Sequence, residues 1–177
     1  RTHFRAVNFK EEAHFVGCDF TYVAFEAVKF HITAIFDFAC FREVVMLSGI
    51  DLSQTPMSFI GTAFEGKVYL DEELWRRRGF RLYLEKVDLY KAAESYLSLR
   101  RGFSNMGKYR VAGELFYREM TCRKNMITLR DVRQRGLGYL MDWLWMRAFD
   151  LLCGFGERPK RVIAWSVFVV FAFTGIY

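Results

Sequence analysis

The chain has 177 residues, 53% of them apolar and 18% aromatic, and a formal net charge of +6. The charge is uneven, with −3 over residues 1–66 and +9 over residues 67–177, which indicates two regions with different roles. Four cysteines lie far apart without a C-x-x-C pair, which argues against a zinc ribbon or a disulfide framework and for free thiols.

Large apolar residues recur every five residues through residues 1–66, with occasional steps of six or seven. The series is Phe4, Phe9, Phe15, Phe20, Phe25, Phe30, Phe36, Phe41, Met46, Leu52, Met57 and Phe64. A step of five would spread these side chains around a helix and alternate them between the faces of a strand. We therefore predict that each five-residue segment forms one side of a coil, with its large residue pointing at the axis.

This spacing resembles that of the pentapeptide-repeat proteins, with Phe in place of the usual Leu. The resemblance implies a right-handed quadrilateral β-helix of about three coils over residues 1–66; a Phe-rich sandwich is the alternative. The predicted core residues are Phe15, Phe20, Phe25, Phe30, Phe36, Phe41, Met46 and Leu52. A net charge of −3 is too weak for a DNA-mimicking surface, so a docking scaffold is expected. His3, His14 and His31 are expected to point outward without binding zinc.

Helical spacing begins at Asp88, a candidate N-cap within a helical region predicted for residues 67–130. Two helices are predicted, at residues 88–104 and 108–125. The residues expected to pack them together are Tyr96, Gly107, Tyr109, Ala112 and Phe116. This pattern resembles the second half of a tetratricopeptide repeat, which leaves two interpretations open: a two-helix spacer or a peptide-binding groove. The arginines at 76–78, 100 and 101 indicate a solvated face or one near anionic lipid, and no nucleic-acid partner is predicted.

Residues 139–152 form a short amphipathic pattern whose polar positions cover one side of a helical wheel. Trp143 and Trp145 lie among its apolar residues, as in helices that reside at a membrane interface. We predict an interfacial helix here; a buried helix of a soluble domain is the alternative.

Residues 162–177 carry no charge, although sixteen helical residues span only about 24 Å against a hydrocarbon core of about 30 Å. We predict that they begin a transmembrane helix that continues past residue 177. Arg158, Lys160 and Arg161 precede it and place the N-terminal region in the cytoplasm by the positive-inside rule. Trp165, one turn further on, is expected at the interface.

The stretch CGFGERP, residues 153–159, looks like a potassium-channel filter, but the filter threonine and a preceding membrane helix are missing. The order of repeats, hairpin, CGFGERP and apolar helix resembles prokaryotic membrane proteins in which pentapeptide repeats precede a two-helix, potassium-channel-type module. That resemblance implies a cation channel whose pore, and whose potassium or other permeant cation, lies beyond this chain. Membrane lipid and a protein partner or second copy are the expected partners.

The alternatives are a membrane-anchored scaffold without a pore and a soluble interaction protein. No enzyme activity and no cofactor are predicted, since the sequence contains no nucleophile–base pair, phosphate loop or paired carboxylates.

Overall fold

The computed structural model describes residues 1–50, 52–70, 81–128 and 137–174. Ten strands come first: β1 Thr2–Arg5, β2 Asn8–Phe9, β3 Ala13–His14, β4 Asp19–Glu26, β5 Lys29–Phe30, β6 Ala34–Ile35, β7 Cys40–Ser48, β8 Met57–Ser58, β9 Ala63–Phe64 and β10 Lys67–Leu70. A 3₁₀ turn follows at Tyr83–Lys86. The helices of the described residues are α1 Leu89–Asn105, α2 Tyr109–Met126, α3 Leu137–Cys153 and α4 Pro159–Thr174.

The strands form a β-solenoid of about three turns, and all their pairings are parallel. The first turn advances the chain by 21 residues, so that Thr2 pairs with Val23 and Ala13 with Ala34. This advance corresponds to four segments of five residues and one extra residue. The following turn is longer, since Ala34 pairs with Met57 and Cys40 with Ala63, 23 residues further on. The predicted coil, followed by a helical region, is thereby confirmed at the level of a β-solenoid followed by helices.

The core of the solenoid consists of columns of phenylalanine rings that stack from one turn to the next. The stacks are Phe4 on Phe25, Phe9 on Phe30, Phe15 on Phe36 and Phe59, and Phe20 on Phe41 and Phe64, with centroids 4.7–5.6 Å apart. Rings of the middle turn are buried, whereas those of the first turn are partly exposed. Leu52 is also buried, at 1% exposure.

Met46 does not take the core position that its spacing predicted, because Leu47 occupies it. Phe4 pairs with Phe25, Phe25 with Leu47, and Leu47 with Leu70, which defines the column. The cause is a one-residue bulge: the register of β4 and β7 shifts after Phe20, and all later residues of β7 move by one position. Met46 is half-buried instead, and its sulfur accepts a hydrogen bond from the Tyr22 hydroxyl at 3.3 Å.

Phe59 is a second core residue that the spacing missed. It is fully buried and stacks on Phe36 at 5.6 Å, where the five-residue step had pointed to Met57. Met57 pairs with Ala34 and is itself 1% exposed, so that it fills the position of a small residue. The last turn accordingly has two large side chains on one side of the coil.

Helix α1 covers the last turn of the solenoid, in contact with β8, β9 and β10. Its Ser95 hydroxyl accepts a hydrogen bond from the Phe59 backbone N–H at 3.0 Å. At Gly102 the helix comes so close that an added Cβ would lie 2.6 Å from the Phe64 Cβ. The carboxylate of Asp88 caps the helix by accepting from the N–H groups of Tyr90 and Lys91. The buried side chains of α1 include Ala92, Ala93, Tyr96, Leu99 and Phe103.

Tyr96 is the polar anchor of this helix and is fully buried. Its hydroxyl donates to a Glu85 carboxylate oxygen and accepts from the Leu82 N–H at 2.8 Å. Burial, and then the negative charge of Glu85, raise the pKa of Tyr96 far above its usual value, so the hydroxyl stays protonated.

We expect Tyr96→Phe to lower the free energy of unfolding by about 1–3 kcal/mol, because it deprives a buried backbone N–H of its acceptor. Chemical denaturation followed by circular dichroism measures this loss. Tyr90→Phe, at a residue 59% exposed on the same helix, is the matched control and should leave the transition unchanged. Coincident curves for Tyr96→Phe and the wild type would contradict the structural role of the hydroxyl.

The two helices of the hairpin agree with the predicted ranges within one residue at each end. Gly107, with a φ of 71°, ends α1 together with a hydrogen bond from the Lys108 N–H to the Phe103 carbonyl oxygen at 3.0 Å. Helix α2 is rotated relative to the prediction. Tyr109 is 73% exposed and does not pack between the helices, whereas Ala112 is 8% exposed. Phe116 is half-buried.

Charged residues occupy the buried face of α2 in addition to Ala112, Leu115 and Cys122. Arg118 and Glu119 are 8% and 4% exposed. A Glu119 carboxylate oxygen lies 3.3 Å from Nε of Arg100 on α1. The guanidinium of Arg100 also lies 5.0 Å from the centre of the Phe116 ring. An ion pair between α1 and α2 therefore stands where the sequence predicted aromatic packing.

Candidate functional site

The chain divides into two compact units, Arg1–Cys122 and Arg123–Tyr177. The second contains α3 and α4, which are joined by a tight turn at Gly154, Phe155 and Gly156. All three residues have positive φ angles, of 55°, 55° and 91°. An added Cβ at Gly154 would lie 2.7 Å from the Cγ of Arg158, so only glycine fits there. Pro159 then starts α4, at a position where the missing N–H of proline costs nothing.

Asp150, near the end of α3, joins the two helices. Its carboxylate accepts a hydrogen bond from Nζ of Lys124 and another from Nη1 of Arg161, the latter at 3.2 Å. The same Arg161 nitrogen donates to the Asp150 backbone carbonyl at 2.6 Å. Nε1 of Trp165 donates to the Leu151 carbonyl at 3.3 Å. Two residues that the sequence placed at a membrane interface, Arg161 and Trp165, thus hold α3 and α4 together.

The sequence analysis did not identify Asp150 as a contact. A signal was available: an acidic residue in an otherwise apolar helix, just before a glycine-rich turn and a basic cluster, is placed to pair across that turn. Phe155 was also missed as a turn residue. Its positive φ costs about 1–2 kcal/mol because the residue has a Cβ. Phenylalanine is not a residue type from which this conformation would be predicted.

Helix α4 has no buried residue along its whole length. Its consecutive residues Val167 to Phe171 are all exposed, so every face of the helix is open to solvent along this stretch. The exposed large apolar residues of α4 are Val162, Ile163, Trp165, Val167, Phe168, Val169, Val170, Phe171 and Phe173. Those of α3 are Met141, Leu144, Trp145, Phe149, Leu151 and Leu152. We call these fifteen side chains the apolar surface of the helix pair.

The two tryptophans of α3 differ in their surroundings. Trp143 is half-buried, and the guanidinium of Arg147 lies 4.5 Å from the centre of its ring. Trp145 is 66% exposed and contacts only the ring of Phe149 among the described aromatic side chains, at 4.9 Å. Trp145 therefore belongs to the apolar surface, whereas Trp143 lies beneath a charged side chain.

Three basic residues surround the start of α4. Lys160 is exposed, Arg158 is half-buried with its aliphatic part over Gly154, and Arg161 is bonded to Asp150. Within residues 1–50, 52–70, 81–128 and 137–174, no helix is both long and apolar enough to cross a membrane. In the same ranges, no group of three His, Cys, Asp or Glu side chains could hold a metal ion.

The first unit contains a cleft of about 470 Å³ between one side of the solenoid and the 3₁₀ turn. His31, Ile35 and Asp37 line it from the solenoid, and Tyr83 and Val87 line it from the turn. The Asp37 carboxylate accepts hydrogen bonds from the Ser58 hydroxyl at 2.5 Å and the Ile60 N–H at 3.0 Å, which hold it in place. Its volume lies within the range of about 300–1,000 Å³ that is typical of ligand-binding clefts, and its lining combines apolar and polar side chains.

Comparisons of the chain with family models, with curated proteins and with solved structures found no match.

Proposed function

We propose that the chain is a membrane-docked scaffold, in which the apolar surface of the helix pair enters a lipid bilayer and the solenoid with its hairpin meets a protein partner. The observation that carries the proposal is the exposure of large apolar side chains around the whole circumference of α4. A helix that is apolar on all sides is normally buried in a core or in lipid.

Lipid suits this surface better than a single protein face does. A protein partner covers one side of a helix, whereas acyl chains cover every side at once. Exposed apolar patches larger than a few hundred Å² are rare on soluble monomers, and water contact costs about 25 cal/mol per Å² of apolar surface. The basic residues at the start of α4 agree with a cytoplasmic location of the N-terminal region, by the positive-inside rule.

A finer version of the proposal is a cation-channel subunit of the pentapeptide-repeat type, with its pore beyond residue 177. What supports it is the order of elements: a solenoid, a helical hairpin, an amphipathic helix, the CGFGERP turn and an apolar helix. Ion flux through vesicles that contain the full-length protein tests this version. Bilayer binding without flux would leave the anchored scaffold.

Flotation with phospholipid vesicles tests docking. We expect the wild type to float with the vesicles, and the double variant Val170→Asp/Phe171→Asp to remain in the dense fraction. Each charge placed in the hydrocarbon costs about 2.5–3.5 kcal/mol, so each substitution should weaken binding about a hundredfold.

Tyr109→Asp is the matched control, because Tyr109 is 73% exposed and Phe171 74% exposed, but Tyr109 lies on the hairpin. It should float like the wild type. A wild-type chain that stays in the dense fraction with every vesicle composition would overturn the proposal. It would favour the soluble interaction protein, for which the cleft beside the 3₁₀ turn is the supporting feature.

A further inference from the structure

The basic residues that precede the apolar part of α4 are adjacent in sequence but differ in their contacts. Arg161 donates to both the backbone and the carboxylate of Asp150, at 2.6 and 3.2 Å. Lys160 is exposed, and no hydrogen bond or ion pair involves it within the described ranges. Arg161 therefore serves the fold of the helix pair, whereas the charge of Lys160 faces the surroundings.

Lys160 lies two residues before Val162, the first exposed apolar residue of α4. Two residues advance a helix by about 3 Å, so Lys160 lies next to the start of the exposed apolar residues of α4. A lysine at such a boundary keeps its aliphatic chain against apolar groups while its charge reaches the polar layer of a bilayer. Arg158, whose aliphatic part covers Gly154, lies in the turn just before it.

The charge around this boundary is positive. The described residues of the second unit include six Lys or Arg and three Asp or Glu. One of the three acidic residues, Asp150, is already paired with Lys124 and Arg161. The remaining acidic residues are Asp142 and Glu157, against four further Lys or Arg residues in the same described ranges, so the net charge there is positive.

We infer that the bilayer to which the helix pair docks is anionic, and that Lys160 with Arg158 contacts its negatively charged headgroups. The inference rests on the proposed function and adds to it the class of lipid. Phosphate or carboxylate groups of the lipid would lie beside these two side chains while the apolar surface is in the acyl chains. Such attraction amounts to about 1 kcal/mol per basic residue near the surface and is screened by salt.

Binding to two kinds of vesicle tests the inference: pure phosphatidylcholine, and phosphatidylcholine with roughly one-third phosphatidylglycerol, a composition that gives a strongly negative surface. We expect the wild type to bind the anionic vesicles at least tenfold more tightly at low salt, with the preference shrinking as salt is added. Lys160→Gln should weaken binding to anionic vesicles about fivefold and leave binding to neutral vesicles unchanged. Lys160→Arg should retain the wild-type preference.

Two control variants separate this effect from others. Lys29→Gln removes the same charge from the solenoid and should not alter binding to either vesicle. Arg161→Gln removes the contacts with Asp150, so it should lower thermal stability in the absence of lipid, whereas Lys160→Gln should not.

Equal affinity of the wild type for both vesicles would overturn the inference and leave the proposed function standing. A Lys160→Gln variant that weakens binding to both vesicles equally, or to neither, would also overturn it. Absence of binding to both compositions by the wild type would instead overturn the proposed function.

Discussion

Phe36→Ala is expected to lower the free energy of unfolding by about 3–5 kcal/mol, the usual loss for a buried phenylalanine. Phe36 is fully buried and stacks between Phe15 and Phe59, at centroid distances of 4.7 and 5.6 Å. The ring of Phe25 meets it edge-on at 5.5 Å. Removing it leaves a cavity in the middle turn, which neighbouring turns hold open because their backbones are hydrogen-bonded in register. Urea denaturation followed by circular dichroism measures the loss.

Phe15→Ala is the control for this substitution, since Phe15 lies in the same column but in the first turn, where it is half-buried. Its loss should be clearly smaller, because part of the ring already contacts water. Equal losses for the two variants would mean that the first turn is covered in solution as completely as the second. A Phe36→Ala loss below about 1 kcal/mol would contradict a continuous stacked core.

Glu119→Ala should destabilise the hairpin by about 3 kcal/mol. Glu119 is 4% exposed, and its carboxylate lies 3.3 Å from Nε of Arg100. Without the Glu119 carboxylate, the Arg100 charge remains between the helices and loses the counter-charge that Glu119 provides. Removal of one partner of a buried ion pair typically costs about 3–5 kcal/mol of folding free energy. The lower end applies here because the Arg100 side chain is 31% exposed. Thermal and chemical unfolding transitions report the change.

The double variant Arg100→Met/Glu119→Met distinguishes an unpaired charge from lost packing. It should recover most of the stability, because apolar side chains of similar length can replace a buried pair without desolvating a charge. Glu26→Ala is the matched surface control: Glu26 lies 3.5 Å from Arg5, and both side chains are well exposed. That variant should leave the unfolding midpoint unchanged. A double variant as unstable as Glu119→Ala would show that the ion pair itself is not the source of the loss.

The β-solenoid could be predicted because its core repeats along the chain. Every side of the coil needs one large side chain at the axis, so the structure imposes a five-residue period that neither a helix nor an ordinary strand produces. Stacked rings such as Phe15 on Phe36 repeat after 21 residues, and that interval is visible in the spacing of the phenylalanines. The handedness of the coil cannot be predicted from this spacing, because both hands would require the same five-residue period.

The occupation of the core position by Leu47 instead of Met46 could not be predicted in the same way. One extra residue in β7 can be absorbed before or after the Met46–Leu47 position, and that choice decides which of the two residues faces the core. The inter-turn hydrogen bonds of β4 and β7 decide it, since they place the bulge directly after the Phe20–Phe41 pair. Both Met46 and Leu47 are apolar, so composition does not distinguish them.

The hairpin shows the same division between local and tertiary information. Its ends follow from local signals, the Asp88 cap and the glycine at 107, which act through the backbone of adjacent residues. The rotation of α2 about its axis does not follow from such local signals. Its buried face includes Arg118 and Glu119 because their charges pair with Glu114 and Arg100, whereas Tyr109 is the first residue of α2 and is exposed to water.

The sequence by itself indicated the coil, the hairpin and the two C-terminal helices, since each depends on spacing or on neighbours a few residues away. It ended the coil at residue 66, whereas β10, Lys67–Leu70, still pairs with β7 and lies in the region predicted to be helical. It also determined that α4 is apolar on all sides. Only the tertiary structure separated Lys160 from Arg161, two basic residues that look equivalent in the sequence. The physical reason is distance: Asp150 lies eleven residues before Arg161, and the Gly154–Gly156 turn brings its carboxylate to 3.2 Å from that guanidinium.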